Sequence, residues 1–433
     1  MQPLLSSRYR KSILHLTRAE KVIPLGSQTF SKSRTQYPVG ISPLYIDRAK
    51  GPYVWDIDGN KYVDLVNALA SITLGYGDKE IELSIRKQLK KGTIFSLPGT
   101  LEAEVAELIV EMVPSAEMVR FGKNGTDATS AAIRLARAYT GRDRIAVCGY
   151  HGWQDWYIGS TTRNKGVPES VSALTHQFIY NDIESLKKSL AEFPGQFAAV
   201  IMEPMNAQWP NPGFLEGIRK ITKDSGIVLI FDETITGFRF SRGGAQELLG
   251  VTPDLSTFGK GMANGFPLSA VVGTREIMME MEEIFFSGTF GGELLSLAAS
   301  KVILERYKKE DICGYLAKKG SSFANRLNSI IDDNNLSKIL SLSGHDSWKF
   351  LNWKPTSQYS VEKIRTFFMQ EMFKEGVLIL GTHNLSMSFS TKAENLAITA
   401  YMKALKELSS GIENQNLEQK MEVEPLIPLF KVR

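Results

Sequence analysis

Four short stretches carry residue types that could act together. In "STFGKGMANGFPLSAVVG", 256–273, Lys260 lies between Gly259 and Gly261, after an apolar-polar run and before a small-residue strand. Flanking glycines would let the chain bend sharply and leave the amine unobstructed, as a nucleophile needs; the stretch equally suits a solvated lysine in a flexible turn. Asp232 ends the apolar run "GIVLIFDE". A carboxylate at the end of a buried strand is costly to desolvate unless a cation meets it. In "FGKNGTDATSAAIRLAR" a strand passes through Gly125 and Thr126 into a helix. Helix N-terminal amides and a hydroxyl make an anion cradle, and they also make an ordinary cap. In "GYHGW", Tyr150 and His151 end a strand and enter a loop. The ring there could cover a planar ligand or pack as any aromatic does.

The cradle is neither a Walker loop nor a dinucleotide fingerprint, because no Gly-Lys-Ser/Thr and no G-x-G-x-x-G closes it. Taken together, the four features fit pyridoxal 5'-phosphate. That cofactor needs a lysine for a Schiff base, a carboxylate on the ring nitrogen, an anion cradle and a covering aromatic. A lysine-dependent aldolase would need no such cradle and ring-nitrogen carboxylate together. A non-catalytic binding protein would not need Lys260 and Asp232 as a pair.

The elements that must position these groups follow from periodicity. "MVRFG" (118–122), "RIAVCGY" (144–150), "FAAVIMEP" (197–204) and "GIVLIFDE" (226–233) read as strands, the last two apolar on both faces. Between the first two, Ala128, Ala131, Ala132, Leu135, Ala136 and Tyr139 form one helical stripe. This alternation predicts an α/β architecture with polar groups at strand carboxyl ends. Earlier, "YVWDIDGNKYVDL" (53–65) reads as a hairpin turning at Asp58-Gly59, and helices are expected over 78–91 and 101–113. After about residue 310 the pattern becomes α+β. Strands are expected within 338–354, at "VLIL" and at "LSMSFS", with a helix ending at Gly376 and another from Thr391, where Thr391 and Glu394 have capping-box spacing. The expected organisation is 1–75 as an N-terminal segment joining the small domain, 76–310 as the large cofactor-binding domain, and 311–433 as the small C-terminal domain. The role of the tail from Gly411 is not readable.

Composition excludes other classes. The 433 residues are 43% hydrophobic, and 51 Lys+Arg against 47 Asp+Glu give a net charge of +4. That balance and the lack of basic runs with aromatics argue against nucleic acid. Cys148 and Cys313 form no disulfide framework, so a reducing compartment, the cytoplasm, is expected. No signal-peptide or membrane-spanning run is present, and the five histidines show no metal spacing.

The sequence resembles the class III, fold-type I aminotransferases, and most nearly their glutamate-1-semialdehyde 2,1-aminomutase branch. The matching stretches are "GPYVWDIDGNKYVDLV", "LGYGD", "PSAEMVRFGKNGTDATSAAIRLARAYTGRDRI", "YHG", "FDETITGFRFSRGGAQELLGVTPDLSTFGKGMANGFPLSAVVG" and "FSGTFGG". They extend over roughly residues 20 to 300 in the family's order; the C-terminal third matches more loosely. The resemblance implies a large domain with a mostly parallel sheet covered by helices, and a smaller α+β domain. It implies that Lys260 forms the Schiff base, Asp232 meets the ring nitrogen, Gly125 and Thr126 bind phosphate, and Tyr150 stacks on the ring. Thr289, in "SGTFGG", would reach the phosphate of the partner subunit in a homodimer. The resemblance implies a mobile gate over 152–168; the alternative is that its Trp153, Trp156 and Tyr157 pack against substrate or the partner subunit.

Substrate contacts are expected from Lys32, Leu69 and His151. The aminomutase branch carries an arginine where "IPLGSQTFSK" has Lys32, and a tryptophan where this chain has Leu69. Neither replacement is equivalent, since lysine lacks the planar fork that grips a carboxylate. The expected activity is therefore transfer of an amino group from a small donor to a bulkier carbonyl, a keto sugar or a semialdehyde. The alternative is the intramolecular aminomutase giving 5-aminolevulinate, with Arg34 restoring the grip.

Overall fold

The computed structural model describes residues 7–427. The chain divides into two compact units. The large unit comprises residues 70–72 and 79–315; the small unit comprises 7–69, 73–78 and 316–427.

The large unit is built on seven strands: β1 Met118–Gly122, β2 Arg144–Cys148, β3 Thr175–Gln177, β4 Phe197–Met202, β5 Val228–Asp232, β6 Leu255–Phe258 and β7 Ser269–Gly273. Their order in the sheet is β1-β7-β6-β5-β4-β2-β3. All neighbours are parallel except β7, which runs antiparallel to both β1 and β6. Every residue of β4 and β5 is buried, as continuous apolar runs require of strands covered on both faces. Alternation divides the core. Ile145, Val147, Ile201 and Ile230 point to one side with helix α1, Gly125–Thr140, and Ala146, Val200, Leu229 and Phe231 to the other. The alanine stripe of α1 lets its backbone lie close to the sheet, and Gly141, at φ +64, ends the helix in the left-handed conformation.

β2 stops two residues earlier than its apolar run, because Gly149 turns the chain at φ +107. That turn delivers Tyr150 and His151 to the carboxyl end of the sheet.

The small unit holds a four-stranded sheet, Ile46–Lys50, Tyr53–Asp56, Lys61–Asp64 and Val377–Leu378, and a three-stranded one, Leu340–Ser343, Trp348–Trp353 and Thr382–Asn384. The hairpin turns at Gly59, at φ +93, where the sequence places it. Two expectations are corrected. The last strand is Thr382–Asn384 and not the following "LSMSFS", whose Ser390 caps the next helix by accepting from the Ala393 amide. The Thr391–Glu394 capping box does not form, because Ser390 is the cap and Thr391 already helical, and Glu394 instead pairs with Lys319 and Arg326. The tail packs along the Val361–Lys374 helix, where the Glu422 and Leu426 amides donate to Gln370 and Thr366. Residues 428–433 lie outside the described residues. No helix among the described residues is long and apolar enough to cross a membrane, and none of their His, Cys, Asp and Glu clusters could hold a metal.

Candidate active site

The end of β5 organises the site. Asp232 is 5% exposed and accepts four hydrogen bonds. Its Oδ2 takes His151 Nδ1 at 2.9 Å. Its Oδ1 takes the Thr234 amide at 3.1 Å, the Thr234 hydroxyl at 2.5 Å and the Thr257 hydroxyl at 3.1 Å. Thr257 is the β6 residue paired with Asp232 across the ladder. Burial pushes the Asp232 carboxyl up, but the His151 bond and charge and the Thr234 bonds outweigh it, so its pKa is lowered.

His151 corrects an expectation. Its ring is 1% exposed, held between Asp232 and the Cys148 carbonyl oxygen, 3.2 Å from Nε2. A ring enclosed this way supports Asp232 and offers no surface to substrate. Tyr150, by contrast, leaves 41% of its surface open and packs edge-on against Tyr157 at 5.6 Å. Burial and the Asp232 charge push its hydroxyl up. Its amide donates to Glu203, a buried carboxylate just past β4.

Helix α1 supplies the next part. The Asp127 carboxylate accepts from the Lys123 and Asn124 amides, which shapes the turn before Gly125. The Thr126 hydroxyl accepts from the Trp153 amide at 3.3 Å, and Thr129 donates to the His151 carbonyl at 2.8 Å. Gly152, at φ +106, lets this loop lie on the helix, since a methyl there would come 2.4 Å from Thr126 Oγ1. The gate expectation is also corrected in part: Trp156 and Tyr157 are core residues, and Trp153 alone of the three is exposed. Trp156 Nε1 donates to Ser130 and the Tyr157 hydroxyl to the Gly149 carbonyl, so both polar tips are satisfied inside the unit.

Lys260 follows β6 by two residues and is half-buried. The sharp bend expected of its glycine neighbours falls on the lysine itself. Lys260 has φ +44, whereas Gly259 is extended. A non-glycine residue in that region is uncommon and marks a site where surroundings enforce the conformation. Thr234 lies at the centre of the constellation: methyls placed on Gly125 and Gly259 would come 3.0 and 3.4 Å from its Cγ2. The structure thus gathers Asp232, His151, Gly125 and the lysine turn around one residue that the sequence reading passed over. The Asp232 carboxylate accepting the Thr234 amide two residues on is an Asx-type turn, which aspartate at a strand end favours.

Thr289 is exposed in a turn, and nothing among the described residues joins it to this cluster. Lys32 and Leu69 belong to the small unit and line a cavity of about 360 Å³ there. Its walls are mostly apolar, with Leu16, Leu44, Ile46 and Val54, and its charged residues are Lys32, Arg34 and Asp64. Two of its lining residues, Ala68 and Leu69, have backbone in the left-handed conformation, at φ +48 and +61. Asp64 holds the chain just before them by accepting from the Val66 and Asn67 amides.

Residues 36–405 match the family described as Aminotransferase class-III. A 3-aminobutyryl-CoA aminotransferase of Cloacimonas acidaminovorans is 34% identical over 389 residues, 88% of this chain and 92% of that protein. The FumI protein of Sphingopyxis sp. MTA144, solved in its PLP internal aldimine form, superposes with a TM-score of 0.87 at 28% identity, covering 96% of this chain and all of the other. An omega-transaminase from Sphaerobacter thermophilus gives 0.83 at 28% identity, covering 93% of this chain and all of that one.

Proposed function

This chain belongs to the class-III aminotransferases and is a pyridoxal-phosphate-dependent enzyme, and from that premise we propose the roles its residues play. Lys260 would hold the cofactor through its amine and, as a free amine, would serve as the general base and acid that carries a proton at the reacting carbon. Asp232 holds the ring nitrogen, Tyr150 covers one ring face, and Gly125 and Thr126 receive the phosphate.

The residues fit that group. Asp232 keeps an acceptor direction on Oδ2, since that oxygen has one donor where Oδ1 has three. Gly125 and Gly259 leave space beside Thr234, and Tyr150 presents an open ring. When bound, the cofactor supplies an electron sink for the carbanion left by proton removal. The protein's part is to keep a negative charge at the ring nitrogen and a mobile amine at the reacting carbon.

The buried, charge-stabilised Asp232 carries this reading. Borohydride reduction of the native enzyme and peptide mapping should place a pyridoxyl group on Lys260, and Lys260→Ala should lose the visible absorbance while still folding. A label on another lysine overturns the assignment.

The functional unit we propose is a homodimer in which Thr289 completes the partner's phosphate site. The exposed Phe285 and Phe290 around it support that role, and a monomer by sedimentation would remove it. That Cys148 and Cys313 are not joined in a disulfide favours the cytoplasm. For the substrate, a small amino donor gives up its amino group and leaves as a carbonyl, and the group passes to a carbonyl acceptor that Lys32 and Leu69 select. The apolar walls around them favour an acceptor with an apolar body and one anionic group. A screen of the aminated enzyme against a 3-oxoacyl thioester, a keto sugar and glutamate-1-semialdehyde decides among acceptors. Fastest turnover on the semialdehyde alone, with no second substrate, would establish the aminomutase instead.

A further inference from the structure

The two oxygens of Asp232 are not equivalent. Oδ1 is saturated by Thr234, through its amide and hydroxyl, and by Thr257. A carboxylate oxygen has about two lone-pair directions, so three donors leave none in reserve. Oδ2 has His151 as its donor among the described residues, and so one direction remains.

From this asymmetry we infer that Thr234 is a positioning residue for the cofactor: its hydroxyl locks the Asp232 carboxylate so that Oδ2, shared with His151, is the oxygen given to the ring nitrogen. The inference rests on Asp232 being the ring-nitrogen partner.

Three observations carry it. The Thr234 hydroxyl makes the shortest of the four bonds to Asp232. Its amide binds the same oxygen, so backbone and side chain fix one orientation together. Its methyl meanwhile faces Gly125 and Gly259, the residues that open the cradle helix and precede Lys260. One threonine therefore ties the carboxylate's orientation to the two other places where the cofactor would be held. The hydroxyl serves the charge and the methyl serves the spacing, so the two functions separate by substitution. Burial raises the Asp232 pKa; the His151 bond and charge and then both Thr234 bonds bring it down, to a net lowering.

Thr234→Val keeps the methyl and the branch and removes the donor. Thr234→Ser keeps the donor and removes the methyl. The experiment strips the cofactor from the wild type and the variants and titrates pyridoxal phosphate back, reading affinity by equilibrium dialysis across pH. Removal of a hydrogen bond to a charged acceptor predicts about tenfold or more weaker binding for Thr234→Val. The acid limb of its binding profile should move to higher pH, because Asp232 then protonates more readily. Thr234→Ser should keep the wild-type acid limb. A Thr234→Val protein that melts earlier but binds with unchanged affinity and acid limb has lost packing alone, and that result overturns the proposal. Should Thr234→Val not fold, Thr234→Ala carries the same expectation. Asp232→Asn separates the two levels. If it leaves binding unchanged, the ring-nitrogen reading fails; if it weakens binding and Thr234→Val does not, the positioning role alone fails.

Discussion

Asp232 in the large unit and Asp64 in the small unit occupy equivalent local settings. Each is the last residue of a strand, each is buried, and each accepts several hydrogen bonds. Their carboxyls nevertheless move in opposite directions. Burial raises both. At Asp64 the Tyr76 hydroxyl and the Asn67 and Val66 amides oppose it without prevailing. At Asp232 the His151 ring, by bond and charge, tips the balance downward. Glu233, next in the chain, sharpens the contrast. It is fully buried and bonded to Thr236, Ala245 and Gln246, all neutral, and its pKa is raised. The number of donors therefore does not decide which buried carboxylate keeps its charge. A partner able to carry positive charge does. Asp64 and Glu233 hold backbone in place; Asp232 is kept as an anion.

The largest expected effect breaks this comparison at its active end. Asp232→Asn keeps the shape and removes the charge, and should slow the first half-reaction by roughly 3 kcal/mol or more, over a hundredfold, in single-turnover measurements. Asp64→Ala should instead leave that step largely intact and lower stability by about 1–3 kcal/mol in urea titrations, through its stranded donors. Equal damage to the chemical step by both variants would erase the distinction. Next in size, His151→Phe removes the imidazole donor that separates Asp232 from the other two. Cofactor affinity should fall about tenfold, with its acid limb displaced to higher pH; an unmoved limb would show that the threonines alone keep the charge.

The sign of the pH effect on the cofactor-free protein is also specific. The lowered pKa of Asp232 contributes stability that is present above the ordinary aspartate value and lost as pH falls through the folded value. The raised pKa values of Asp64 and Glu233 do the reverse: they favour the fold when protonated, and that contribution is lost as pH rises from the ordinary carboxyl value through the folded one. Asp232→Asn should therefore flatten the acid-side decline in urea midpoint, and Asp64→Asn the decline on the opposite side. The smallest effect concerns the left-handed run beside Asp64. Ala68 has φ +48, which glycine tolerates better, so Ala68→Gly should gain up to about 1 kcal/mol. A loss of that size would mean the alanine methyl packs usefully on the cavity wall.

What was legible in the sequence was what local pattern encodes. Strands β1, β2, β4 and β5 and helix α1 lie where alternation and the alanine stripe put them, because their burial is set by one sheet and its covering. The cofactor could be read because Gly125, Tyr150, Asp232 and Lys260 fall at strand ends and the loops after them, and the fold type because the quoted stretches resemble the family. The antiparallel course of β7 could not, since a short small-residue strand looks the same in either direction. Thr257 could not either, because its hydroxyl reaches Asp232 only through the β5–β6 register. His151 looked available to substrate in a loop, and only the fold encloses it. The Leu294–Lys309 helix was not singled out, as its buried Leu294, Leu297, Ala298, Ala299 and Ile303 leave no simple polar face.

The course of β7 has a consequence for how the protein comes into being. β7 pairs with β1, made far earlier in the chain; Gly125 opens the helix that follows β1, and Lys260 lies in the turn between β6 and β7. The helix start at Gly125, the proposed phosphate site, and the Lys260 turn therefore flank one of the longest-range pairings in the sheet, the kind that forms slowly. A growing chain carries Gly125 and Asp232 for some time before the strand that closes the sheet beside them has emerged. Cofactor capture must then be a late event in biogenesis. In refolding from urea with pyridoxal phosphate present, the cofactor signal should lag the recovery of helix content.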